Sequence, residues 1–367
     1  MFNPLFMHHL LASTRKGLVI LQNSDNQWKT HSIHFNGIPV SLSYYDNERN
    51  HLWVFQDHGH WGCKISRSND LGMTWEEIPP PSYPEEAEAK AGVPATLRYI
   101  WAAKHLPIGQ NDSFLIGTEP GGLFHWSEEN KDWTLNSSLW NQPSRKEQWF
   151  GGGRDFPGIH SIVVDPNDAK HWYVAISCAG VFESHDAGSN WVIRNQGLRA
   201  DFLPDPFAEV GHDPHLLTLC EARPNIMWQQ NHCGIFRSVD SGKNWTDISQ
   251  KNGPANFGFA IAAHESNENL AWVAPSISDE IRVAVDHALC ISRTEDGGRT
   301  WTNLRNGLPQ KSAFDIIYRH ALISSGNTVI FGTTTGNLFY SNDGGDHWEA
   351  ISHHLPMIHA LEFAQLD

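Results

Sequence analysis

Charge is scarce in this 367-residue sequence: Asp, Glu, Lys and Arg together make up only 18% of it. Positive charge is scarcer still, with 26 Lys and Arg against 41 Asp and Glu and a formal net charge of −15. Such a surface repels phosphate backbones and anionic lipid, so neither nucleic acid nor membrane is expected as a partner. Anionic sugars are disfavoured too, unless a local basic pocket overrides the net charge. Cysteine is sparse and odd in number: Cys63, Cys178, Cys220, Cys233 and Cys290, with no CxxC spacing. Free thiols in a reducing cytoplasm are the expectation. Heptads and low-complexity tracts are missing. The opening MFNPLFMHHLLAST has no basic n-region and no clean apolar stretch, so neither a signal peptide nor a transmembrane span is expected.

What is plentiful is tryptophan, at 16, with 30 glycines and 20 prolines. Aromatics with frequent turn residues favour many short strands over long helices. The pattern Ser/Thr-x-Asp-x-Gly-x-x-Trp occurs five times: SNDLGMTW, SHDAGSNW, SVDSGKNW, TEDGGRTW and SNDGGDHW, ending at Trp75, Trp191, Trp245, Trp301 and Trp348. Two worn copies, NSDNQW and SEENKDW, end at Trp28 and Trp133. The seven tryptophans are 47, 58, 58, 54, 56 and 47 residues apart. A period near fifty calls for a solenoid, a propeller or an array.

The box is a turn device. Ser and Asp side chains accept backbone N–H bonds within a tight turn. Glycine supplies a positive φ. The tryptophan opens the next strand and buries a large apolar surface. Asp70, Asp186, Asp240, Asp296 and Asp343 are accordingly read as structural staples, not catalysts. Each box follows a short strand such as GIFRS or GVFES, which follows WYVAIS, IMWQQ or TVIFGT, which follows HSIVV or LLTLC. With the strand opened by tryptophan, each unit has four. The expectation is an all-β, seven-bladed β-propeller with four-stranded antiparallel blades, one domain over residues 1–367. The C-terminal MIHALEFAQ supplies the missing inner strand of the N-terminal blade and closes the ring.

These repeats resemble the Asp-box, or BNR, repeats of the sialidase-like propeller superfamily, over essentially the whole chain. That group includes sialidases, endoglucanases and xyloglucanases, sortilin-type receptors and photosystem assembly factors. The resemblance therefore speaks for fold more than for function. It implies a glycosyl hydrolase-like active site on the face opposite the boxes. The sialidase version fits poorly: FMHHLLASTRKG lacks the Arg-Ile-Pro motif, and Tyr99 is the only well-placed tyrosine.

Label the strands of a blade A to D, with A innermost. The box is the C–D turn, so the B–C and D–A connections open on the other face. The D–A connections after Trp75, Trp133 and Trp191 run to twenty residues or more, and blade six has a long B–C insertion near 275–288. Long connections on a rigid scaffold usually carry function. These segments hold GTEPGG with Glu119, WFGGGRDFPGIH with Arg154, Asp155 and His160, EVGHDPH with His212, Asp213 and His215, and Asn231 with His232. Arg98 and Trp101 open the first strand of blade three.

Glycoside cleavage generally needs two carboxyl groups, one acid and one base or nucleophile. The catalytic candidates are Glu119, Asp155 and Asp213. The ligand-binding candidates are Arg98, Trp101, Trp149, Arg154, His160, His212, His215, Asn231 and His232. With Trp126 set aside beside a worn box, Trp61, Trp101, Trp140 and Trp149 are the tryptophans left once boxes and second strands are served, and sugar stacking or loop packing both account for them. No cofactor motif is present. A metal stays open, because 22 histidines include His58, His60, His160, His212, His215 and His232 on the candidate face. Three readings result: a carbohydrate-acting hydrolase with a small-molecule or glycan ligand, a metal-dependent enzyme using the histidine cluster, and a non-catalytic binding or assembly propeller, for which a protein partner stays open.

Overall fold

The computed structural model describes residues 9–24, 27–107 and 113–364. Seven four-stranded antiparallel sheets form the blades. Their inner strands are Ile358–Ala364, Val40–Asp46, Tyr99–His105, Ile159–Asp165, Pro214–Cys220, Gly258–Ala263 and Leu322–Ser325, for blades one to seven. The C-terminal strand pairs antiparallel with His9–Thr14, from His9↔Ala364 to Thr14↔Ile358, and completes blade one. Radial closure in this way leaves no long exposed sheet edge near the axis. Among the described residues no helix is long and apolar enough to cross a membrane. All five cysteines are free.

The boxes repeat one hydrogen-bond set. In the fifth blade, Ser238 Oγ donates to Asp240 Oδ1 at 2.8 Å and accepts from the Gly242 N–H at 2.9 Å. Asp240 then accepts from the Asn244 N–H and side-chain amide at 2.9 and 2.7 Å. The same bonds recur around Asp70, Asp186, Asp296 and Asp343, where the last lacks only the side-chain donor. The glycine is required where it stands: Gly298 has φ +90°, and a Cβ there would meet Ile248 at 2.5 Å. The first worn box contains residues 25 and 26, which lie outside the described residues.

The box tryptophans also join blades. Trp133 Nε1 donates to Pro79 O at 2.9 Å, Trp245 Nε1 to Arg194 O at 2.8 Å, and Trp301 Nε1 to Ile248 O at 2.8 Å. Each reaches the end of the outer strand of the blade before it, so a ring inserted between sheets also satisfies its N–H. Trp53, Trp172, Trp228 and Trp272, on second strands, are buried in the blade cores.

Candidate functional site

Every inner strand runs from the loop face to the box face. Its first residues therefore gather around the axis at the mouth of the loop face. Tyr99, Trp101, His160, His215 and Phe259 arrive this way, and Arg319 enters just before the inner strand of blade seven. Their side chains form one continuous polar and aromatic chain. Arg154 pairs with the carboxylate of Glu119 and lies 5.0 Å and 5.3 Å from the Tyr99 and Trp101 ring centroids. Trp101 packs edge-on against His160 at 4.7 Å. Arg319 Nε donates to His160 Nδ1 at 3.1 Å, and the guanidinium stands 5.2 Å from Trp101 and 5.4 Å from Phe259. Phe259 stacks on His215 at 4.7 Å, which leads to Asp213 and His232.

Burial tunes these groups in different directions. Glu119 is 2% exposed. Burial raises its pKa, and Arg154 recovers only part of that shift. Burial lowers Arg319 to about 10 against the pull of Asp213. His160 is held well below its ordinary value, by burial first and the Arg319 charge second. Burial pushes Asp213 upward, but its interactions with His215 and His232 outweigh that and hold it well below the usual carboxylate range.

The sequence candidates divide accordingly. Trp101, Glu119, Arg154, His160, Asp213, His215 and His232 converge. The others do not, and each has a local reason. Trp149 was expected on the binding face; it is buried, packs 5.1 Å from Phe182 and donates to Ser144 Oγ. The connection before it folds into two short helices, Ser137–Trp140 and Arg145–Gln148, which bury it. His212 is fully buried and its Nε2 meets Ala208 O at 2.7 Å, away from His215. Asn231 is spent inside its own turn, donating to Gln229 Oε1 and accepting from the Cys233 N–H. Arg98 is exposed and lies over Phe156. Asp155 is exposed on the loop beside Arg154, and its charge reaches Glu119. His60 lies in a single 3-10 turn, Gly59–Trp61, and His58 precedes it, apart from His160, His212, His215 and His232. His58 and His60 line a cleft of about 610 Å³ with Asp57, Trp61 and His359, which meets the mouth at Tyr99. Trp61 is 72% exposed there.

Arg319 is the residue that reading the sequence missed. It enters three residues before its inner strand, which begins at Leu322, whereas His160 and His215 are the second residues of theirs.

Fold and site together define a seven-bladed β-propeller with a charged, aromatic-lined mouth on the face opposite its repeated turns. No protein-family model matches the chain. It is 24% identical over 239 residues to an oligoxyloglucan-reducing end-specific xyloglucanase of Emericella nidulans, covering 64% of this chain and 22% of that protein. It is 20% identical over 269 residues to a xyloglucanase of Paenibacillus sp, covering 65% and 24%. The chain thus spans under a quarter of the length of these relatives. Among solved structures, an ancestral GH74 enzyme matches with a TM-score of 0.59 at 16% identity, over 84% of this chain and 38% of that one. YCF48 bound to D1 peptide matches with a TM-score of 0.55 at 14% identity, over 91% and 90%. At these identities the two structures show the fold.

Proposed function

We propose that the protein is a carbohydrate-acting hydrolase whose ligand lies across the loop face, and that Glu119 is its general acid. The carrying observation is Glu119 itself: a buried carboxyl, raised in pKa by burial, on a wall shared with Tyr99 and Trp101. An upward shift of the carboxyl is the direction that protonation of a glycosidic oxygen calls for. The aromatic rings beside it add apolar surface to the mouth in which a sugar would lie. Asp213 is the second buried carboxylate of the mouth. The sequence similarity to two xyloglucanases favours a neutral glucan over an anionic sugar, in keeping with the net charge. The absence of an Arg-Ile-Pro motif speaks against sialidase chemistry.

The test is hydrolysis of xyloglucan oligosaccharides and other β-glucan oligomers by the purified chain, followed as new reducing ends. Cleavage is expected, and Glu119→Gln should reduce kcat roughly 10²- to 10⁴-fold while quenching of tryptophan fluorescence by the oligosaccharide persists. Neither cleavage nor quenching by any oligomer would overturn the reading in favour of a propeller that binds protein.

A further inference from the structure

Asp213, His215 and His232 are held in a way that hydrogen bonding alone does not account for. Pro214 pairs with Asn231 in the sheet, and the His232 N–H donates to Asp213 O at 2.9 Å. The backbone therefore fixes the inner-strand entry against the adjacent turn. The side chains then approach but do not close. Asp213 Oδ2 lies 3.5 Å from His215 Nε2 and 3.5 Å from His232 Nδ1, beyond a normal hydrogen bond. Its other oxygen, Oδ1, is buried with no hydrogen-bond partner among the described residues. Asp213 as a whole is only 7% exposed. A buried carboxylate with a free oxygen is costly unless something else satisfies it.

We infer that Asp213, His215 and His232 form a binding site for a divalent transition-metal ion of the zinc type. Ligand atoms about 2.1 Å from a tetrahedral ion stand roughly 3.4 Å apart, close to the spacing found here. All three donor atoms lie within 4.8 Å of one another. The outer nitrogen of His215 is also oriented as a metal-bound imidazole requires. His215 Nδ1 meets Gly258 O at 2.6 Å, which places the proton on Nδ1 and leaves the Nε2 lone pair facing Asp213. His232 Nε2 faces Asp279 Oδ2 at 3.7 Å, leaving Nδ1 turned inward. Two imidazoles and one carboxylate leave coordination positions for water or a ligand oxygen. Arg319 and Arg282 bring two positive charges to the neighbourhood. They disfavour Ca²⁺ or Mg²⁺, which depend on carboxylate charge, more than an ion bound covalently by imidazole.

The only other such group among the described residues is His171, Glu183 and His185. It is closed. His171 uses both ring nitrogens, on Asp165 at 3.1 Å and Glu183 at 2.8 Å, while Tyr173 and Arg194 fill the remaining Glu183 positions at 2.6 Å. It serves as an internal control.

The experiment uses the full chain stripped with a chelator and titrated with Co²⁺ and Zn²⁺, read by metal content and by the visible d–d absorption of cobalt. It uses no carbohydrate, so its result is separate from that of the hydrolase test. One ion per chain is expected, with a d–d band that Zn²⁺ displaces. His232→Ala should weaken binding at least a hundredfold; that side chain is 26% exposed. Asp279→Asn should weaken binding less than His232→Ala does, since Asp279 Oδ2 stands 3.7 Å from His232 Nε2 and acts through charge alone. His185→Ala should change nothing. Substoichiometric metal in the wild-type protein, or unchanged affinity in a folded His232→Ala chain, would overturn the site.

Discussion

Two clusters of the same residue types sit at opposite ends of neighbouring blades. In blade four, on the box side, Glu183 is fully buried with every oxygen occupied by a donor at 2.6 to 2.8 Å. In blade five, on the loop side, Asp213 is almost as buried, yet its contacts are 3.5 Å and one oxygen is free. Burial and composition are alike in both. What differs is completion. A closed network spends its electrostatics on stability, whereas an open one retains it for a ligand. Burial pushes Glu183 up, but its three donors hold it at about 2, a sign of how firmly it is kept charged.

The sharpest break of this comparison pairs Glu183→Gln with Asp213→Asn. The first turns an amide N–H₂ toward Arg194 and leaves that guanidinium without its buried partner. A loss of about 3 kcal/mol is expected. The second disturbs only long contacts, and its cost should be no more than about half that. Ligand and metal binding should follow the reverse order, untouched in Glu183→Gln and lost in Asp213→Asn. Urea unfolding with a binding titration measures both. Equal stability losses would erase the distinction between closed and open clusters.

The pH dependence of stability sharpens it further. Burial opposes a charged His171 ring, but its hydrogen bonds to Glu183 and Asp165 outweigh burial and raise its pKa. A raised histidine stabilises fully below its unfolded value near 6.5, and that contribution is lost as pH rises through the folded value. At the mouth, burial lowers His320 to about 4, with Arg319 adding to the shift. Its contribution runs the other way: present above about 6.5 and lost as pH falls toward 4. His171→Gln should therefore flatten the decline of stability on the alkaline side, and His320→Gln the decline on the acid side. Denaturant midpoints over about pH 4 to 9 test this. A His171→Gln curve parallel to wild type above 6.5 would show that the ring is not held charged.

These differences were only partly legible in the sequence. The blades were, because the box, its glycine and its tryptophan are local and repeat. The loop face was, because strand alternation fixes which connections open on it. Within EVGHDPH, period-two alternation already separates His212 from Asp213 and His215, and the structure follows that rule. Trp149 was not legible: whether a long connection exposes or buries its aromatics depends on how it folds back, and Ser137–Trp140 and Arg145–Gln148 decide that tertiarily. Arg319 escaped because its inner strand begins only at Leu322, later than the spacing after Trp301 suggests. Hydrogen-bond completion, the feature that separates Glu183 from Asp213, is a matter of distances between side chains on different strands. No one-dimensional pattern encodes it.

The smallest effect is expected where the repeated aspartates are. Asp343 accepts from Ser341 Oγ at 2.7 Å and from the His347 N–H at 3.0 Å. It sits at the surface, so water can replace much of what the carboxylate gives, and Asp343→Ala should cost about 1 kcal/mol. Because the same box recurs in other blades, the loss should stay local to blade seven and leave the mouth unchanged. Hydrogen exchange should rise in the turn around Gly345 and in Glu349–Ser352, but not at Trp101 or His160. Ser341→Ala should match it, since Ser341 Oγ carries the Gly345 N–H at 2.8 Å. If instead Asp343→Ala abolished hydrolysis or metal binding while the chain stayed folded, the boxes would belong to the functional machinery, and the division of labour between the two faces would be wrong.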